Sequence, residues 1–121
     1  LKECELADTK ILTEKVTLTK GSANTGGSDI YDAASAVGAK TVVVAENLNN
    51  NDREFFEFGI IDNGTDIFHT EYGNVRTGQQ LIVPTFERTV GNLARINFEV
   101  GADLTAGHQI EITIVSTVTK K

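Results

Sequence analysis

Residues 53–72 read Arg-Glu-Phe-Phe-Glu-Phe-Gly-Ile-Ile-Asp-Asn-Gly-Thr-Asp-Ile-Phe-His-Thr-Glu-Tyr and contain four of the six phenylalanines of the chain. Phe and Ile favour the pleated, half-buried surface of a β-strand. Asn63-Gly64 interrupts the apolar pattern and is typical of a two-residue type I′ turn, because both residues tolerate a positive φ. The stretch therefore predicts a β-hairpin, and its apolar bulk predicts the centre of the core.

A two-residue turn at Asn63-Gly64 would also determine which residues face each other. Ile60 would lie opposite Ile67, and Phe58 opposite His69. On the other face, Gly59 would lie opposite Phe68, whose ring would cover the bare glycine. The residues predicted to form the core and turn of this hairpin are Phe56, Phe58, Ile60, Asn63, Gly64, Ile67, Phe68 and Tyr72.

Strand patterns recur along the rest of the chain. Residues 11–18, 40–46, 81–88, 93–100 and 109–118 are rich in Val, Ile and Thr or alternate between apolar and polar side chains. Residues 20–28, 47–52 and 73–80 have loop compositions, and residues 29–39 fit either one helical turn or a short strand. Seven or eight strands with turn signals every 8–12 residues predict an all-β antiparallel sandwich or jelly roll.

The expected organisation is a polar arm over residues 1–10 followed by one β-sandwich domain over residues 11–121. A polar terminal segment either frays or reaches a neighbouring subunit. Pro84 cannot donate a hydrogen bond to a ladder, so its strand is expected at a sheet edge or at a bulge. Possible interface residues are Leu1, Leu6, Leu81, Val83 and Pro84.

Composition excludes several partners. The chain has 121 residues, a net charge of −6 and a pI near 4.8, which disfavours binding to nucleic-acid phosphates or to an anionic membrane surface. One cysteine, Cys4, rules out an internal disulfide. The sequence predicts neither a nucleic-acid partner nor a membrane partner.

The sequence shows no convergent catalytic or metal-binding pattern. His69 and His108 are widely spaced, and the carboxylates of Glu54, Glu57, Asp62, Asp66 and Glu71 fit solvated strand edges better than a paired acid and base. We therefore expect no catalytic residues, no metal and no cofactor. Sugar binding would need an exposed aromatic ring, and the two tyrosines, Tyr31 and Tyr72, are the amphipathic candidates.

Residues 40–100 resemble a β-sandwich module of virion structural proteins from tailed bacteriophages, particularly phages of cyanobacteria and marine bacteria. The resemblance rests on these segments in order: Thr-Val-Val-Val-Ala-Glu at 41–46, Phe-Phe-Glu-Phe-Gly-Ile-Ile-Asp-Asn-Gly-Thr at 55–65, Phe-His-Thr-Glu-Tyr-Gly-Asn-Val at 68–75, Phe86, and Gly-Asn-Leu-Ala-Arg-Ile at 91–96. Pro84 and the polar loop at 47–52 depart from the pattern.

The resemblance implies a non-enzymatic protein located in the virion. Its partners would be other virion proteins, such as the major capsid protein or tail and neck proteins, and it would form a homo-oligomer, a trimer above all. The first expectation is a capsid decoration or cement protein. The alternatives are a module of a tail, neck or head fibre and, in another class, a glycan-binding module for host recognition.

Overall fold

The computed structural model describes residues 2–121, and Leu1 lies outside the described residues. Within that range the chain forms strands and turns without a helix. Nine strands follow one another: β1 (Lys2–Glu5), β2 (Thr9–Thr19), β3 (Thr25–Asp32), β4 (Ala36–Asn47), β5 (Arg53–Asp62), β6 (Ile67–Arg76), β7 (Ile82–Arg88), β8 (Leu93–Val100) and β9 (Gln109–Lys120).

The strands form two antiparallel sheets. The larger sheet has the order β1-β2-β9-β4-β5-β6, and the smaller has the order β3-β8-β7. The predicted all-β antiparallel sandwich is confirmed, with nine strands in place of seven or eight. β1 lies within the predicted arm and pairs with β2; the division at residue 10 stays a prediction.

The core lies between the two sheets. Phe56, Phe58 and Ile60 alternate along β5 and are buried, as predicted. The ring of Phe58 meets that of Phe86 in β7 edge-to-face, with 5.0 Å between centroids, so an aromatic pair joins the two sheets. The strands β8 and β9 complete the core with buried Ala94, Ile96, Phe98, Ile110, Ile112 and Ile114.

The hairpin has a longer loop than predicted. Residues 63–66 separate β5 from β6, Asp62 lies opposite Ile67, and Ile60 lies opposite His69. The Asn63 side chain explains the difference, because its Oδ1 accepts hydrogen bonds from the backbone N–H groups of Thr65 (3.0 Å) and Asp66 (2.8 Å). The predicted register was therefore wrong by two residues, and because side chains alternate with a period of two, residues 67–71 remain on the expected face.

Phe68 and Tyr72 lie outside the core, which corrects the prediction for both residues. Phe68 is 51% exposed and Tyr72 is 68% exposed. The ladder shifts between Glu57 and Phe58, so Tyr72 is the extra residue of a β-bulge. Gly59 is indeed covered by an aromatic ring, but the ring is that of Tyr72: a Cβ at Gly59 would lie 2.9 Å from it. Ile67 is partly buried against the core.

A buried carboxylate corrects two further predictions. Glu54 is 2% exposed, although the sequence suggested a solvated edge. Its Oε1 accepts hydrogen bonds from the backbone N–H groups of Leu81 (2.9 Å) and Ile82 (3.3 Å). These bonds hold the start of β7 against the larger sheet, so Leu81 is fully buried and is unavailable as an interface residue.

Two predicted loops are partly strand. Residues 25–28 belong to β3, and residues 73–76 continue β6. The glycines of β3 allow its backbone to pack closely against neighbouring strands, because a Cβ at Gly27 would lie 2.5 Å from the carbonyl oxygen of Ile96. The ambiguous residues 29–39 form the end of β3, a turn and the start of β4. Pro84 lies in β7, an edge strand, as predicted.

We predict that Phe58→Ala lowers the free energy of unfolding by about 3–5 kcal/mol, because it leaves a cavity beside Phe86. Phe68→Ala removes a ring of the same size from an exposed position and is the matched control. Its expected loss is below about 1 kcal/mol. Thermal melts of the two variants measure the difference, and equal losses would place Phe58 outside the core.

Glu54→Ala is expected to cost about 1–3 kcal/mol, since it leaves two buried backbone N–H groups without an acceptor. Glu57→Ala is the control: the carboxylate of Glu57 pairs with Lys40 at 2.9 Å on the surface, and such pairs contribute about 0–1 kcal/mol. Urea unfolding at neutral pH gives both values. A Glu54 variant as stable as the Glu57 variant would contradict the bridging role.

Candidate functional site

The side of the larger sheet that points away from the smaller sheet is called the outer face below. Strand alternation places Gly59 and Ile61 on it, because Phe58 and Ile60 point into the core. Among residues 2–121, seven of the eleven exposed large apolar side chains lie on or border this face. They are Val37, Val44, Ile61, Phe68, Tyr72, Val75 and Val115.

A groove of about 560 Å³ crosses one end of the outer face. Gly38 and Gly59 contribute backbone to its lining, and the Tyr72 ring lies against Gly59. Val37, Phe68 and Tyr72 contribute its apolar walls, and Lys40, Thr70 and Thr119 contribute polar groups. The groove is open to solvent and combines aromatic rings with hydroxyl groups.

Six of the seven charged side chains on the outer face are paired with one another. Lys40 contacts Glu57 at 2.9 Å, Lys15 contacts Glu111 at 3.1 Å, and Arg53 contacts Glu46 at 2.7 Å. In each pair the two residues lie on neighbouring strands. The face therefore presents apolar side chains between neutralised ion pairs.

The two histidines lie in different surroundings. The ring of His69 packs beside Phe86, with centroids 4.5 Å apart. Nδ1 of His108 lies 3.1 Å from Nδ2 of Asn47. Within residues 2–121, neither imidazole is hydrogen-bonded to a carboxylate or a hydroxyl group, and no three His, Cys, Asp or Glu side chains are grouped as metal ligands would be.

Tyr31 has a structural role. It is buried, and its hydroxyl group donates a hydrogen bond of 2.8 Å to Oδ1 of Asp62. Burial, reinforced by the Asp62 carboxylate, raises the pKa of Tyr31 well above its usual range. Arg88 contacts Asp62 at 3.3 Å and donates to the carbonyl oxygen of Gly64 at 3.2 Å, which ties the hairpin loop to β7. The Asp62 side chain is thus buried, not solvated as predicted, and of the two tyrosines only Tyr72 is available to a ligand.

The residues suggested as an interface do not meet on one surface. Leu6 is exposed between β1 and β2, whereas Val83 and Pro84 lie in β7 of the smaller sheet. Leu81 is buried, and Leu1 is outside the described residues. The outer-face residues Val44 and Val75 were missed, although consecutive apolar residues in a strand, such as 42–44, indicate that one of them points outward.

The part of the chain that the structure describes includes no helix of the length and hydrophobicity needed to span a bilayer. No protein-family model matches the sequence. No protein of curated function matches it significantly either.

Two of the solved structures that align with this chain are bacteriophage proteins. The tailspike protein of Acinetobacter phage vB_ApiP_P1 aligns with 90% of this chain at 15% identity and a TM-score of 0.53. A tailspike protein of Acinetobacter baumannii bacteriophage Fri1, described as a capsular polysaccharide depolymerase, aligns with 99% of the chain at 9% identity and a TM-score of 0.47. This chain spans 22% and 21% of those proteins.

The comparisons support the phage resemblance at the level of the fold and correct one expectation. The expectation of a non-enzymatic protein is corrected on this point: one of these tailspike proteins is described as a capsular polysaccharide depolymerase, an enzyme. This chain spans 21% of that protein, and the likeness assigns no activity to this chain.

Proposed function

We propose that this chain is a β-sandwich module of a tailed-phage appendage of the tailspike or fibre type, which acts in the virion by contacting other protein chains. The observation that supports it most is the alignment of 90% of the chain with a segment of a phage tailspike protein at a TM-score of 0.53. Capsid decoration, the first expectation from sequence, gains no support from these structures. Assembly as a homotrimer belongs to the same proposal.

The surface supports an assembly role. Ile61 and Val75 are 61% and 66% exposed and lie on one face with Phe68 and Tyr72. Contiguous apolar side chains on a protein surface mark sites of interaction with other proteins or with ligands. A module that is always surrounded by neighbouring chains would keep such a face covered.

Immunogold labelling of purified phage particles tests the proposal. Antibodies raised against the isolated chain are expected to label the tail end of the particles. The chain itself is expected to co-sediment with the particles on a density gradient. Antibodies against a cytoplasmic host protein serve as the control. Label on the capsid shell would favour decoration, and absence of the chain from purified particles would contradict a virion role.

A second candidate function is glycan binding in the groove, and the exposure of Tyr72 favours it. An amphipathic ring that is 68% exposed beside Thr70 offers a stacking surface next to a hydroxyl group. Burial of both tyrosines would have argued against this function, and only Tyr31 is buried.

A glycan-array screen would identify a bound glycan, and titration would measure its affinity. If the groove binds a glycan, Tyr72→Ala should weaken the affinity for that glycan roughly tenfold, because ring stacking is lost. Val83→Ala, which removes an exposed apolar side chain from the smaller sheet, is the control and should bind as the unmodified chain does. No binding to any array glycan, or equal affinity of the two variants, would exclude this function.

A further inference from the structure

We propose that the outer face of β4, β5 and β6 is the surface that packs against a second copy of this chain. The proposal specifies a partner and a surface, and it goes beyond the assignment to a phage appendage. It depends on the chemistry of the outer face and does not require that the chain belong to a virion.

The apolar side chains of the outer face form a band in two parts, and the Lys40–Glu57 ion pair lies between these parts on β4 and β5. At one end, Ile61 in β5 lies opposite Phe68 in β6. At the other end, Phe55 lies between Val75 in β6 and Val44 in β4. Val42 of β4 and Val115 of β9 are also paired, which extends the band to the fourth strand.

The shape of the band suits a protein surface. From residue 55 to residue 61 it extends about 20 Å along the strands, and four strands give it a width of roughly 14 Å. Between the two parts of the band, the Tyr72 ring lies against Gly59. The Lys40–Glu57 pair lies within the band and the Arg53–Glu46 pair at one end of it. Protein–protein interfaces commonly mix apolar and polar area in this way.

The charge distribution of the chain favours a second copy as the partner of the outer face. By strand alternation the outer face carries four of the eleven Lys and Arg residues (Lys2, Lys15, Lys40 and Arg53) and three of the seventeen Asp and Glu residues (Glu46, Glu57 and Glu111). The acidic excess of the chain therefore lies entirely on other surfaces. A basic partner would be drawn to those surfaces, whereas two copies with a net charge of −6 each repel one another least when they meet through this face.

A ligand bound in the groove would cover only part of the band. The groove includes Phe68 and Tyr72 but neither Val44 nor Val75, and these two are exposed aliphatic side chains without hydrogen-bonding groups. A second copy would cover both ends of the band. The two occupants therefore differ in whether residues distant from the groove contribute to binding.

Sedimentation equilibrium of the unmodified chain over a wide concentration range tests the proposal. The expected result is a mass that rises with concentration from 13.1 kDa to an integral multiple of it. A mass of one chain at every concentration, up to the solubility limit, would overturn the proposal. This result is independent of particle labelling, which tests the phage role alone.

Variants then locate the interface. Ile61→Lys and Val75→Lys each place a charge at one end of the band, and each is expected to weaken self-association roughly tenfold or more. Val90→Lys adds the same charge to a fully exposed residue in the turn between β7 and β8 and should leave association unchanged. Circular dichroism and melting confirm that each variant is folded.

Association that is insensitive to both Ile61→Lys and Val75→Lys would overturn the assignment of the face. Weakening by Ile61→Lys alone, with glycan affinity lost in the same variant, would reassign the groove to a ligand and also overturn it. Salt gives an independent check: if the face is electrically balanced, added NaCl should not weaken the association.

Discussion

The alternation of side chains along β5 is the constraint on which both the core and the outer face depend. Phe56, Phe58 and Ile60 point inward, and the Phe58 ring reaches Phe86 of the other sheet. Because successive side chains of a strand point to opposite faces, the same alternation places Gly59 and Ile61 on the outer face. A change of one residue in the pairing of this strand would exchange the two faces and dismantle both surfaces at once.

The local sequence pattern was sufficient to predict the features that depend on a single strand. The burial of Phe56, Phe58 and Ile60 follows from alternation, and the edge position of Pro84 follows from its missing N–H group. The turn at Asn63-Gly64 was located correctly but its length was not. The side chains of Asp62 and Asn63 accept backbone hydrogen bonds within the loop, which residue propensity does not reveal.

Features that depend on tertiary contacts were missed or mistaken. Glu54 lies in an alternating strand like any solvated carboxylate, and only the approach of Leu81 and Ile82 gives it partners inside the protein. Phe68 and Tyr72 have the composition of core residues, yet they belong to an edge strand whose outer side has no covering layer. The sequence showed that these side chains are apolar, but which of them remain exposed depends on sheet order.

The fold and the surface support the functional proposal in different ways. The fold of 90% of the chain is similar to a segment of a phage tailspike protein, of which the chain spans about a fifth, and a shared fold does not by itself transfer chemistry. The outer face is a property of this chain, and its apolar side chains and paired charges are the basis of the proposed assembly through protein contacts.

A dilution series followed by methyl-resolved NMR tests the role of the outer face most directly, because it reports on each apolar side chain separately. The account predicts that concentration-dependent shifts are confined to the methyl groups of Val44, Ile61, Val75 and Val115, while those of buried Ile110 and Ile112 do not change. Shifts centred on Val83 or Val90, which are exposed on the smaller sheet and in its β7–β8 turn, or a spectrum that is constant at every concentration, would contradict it.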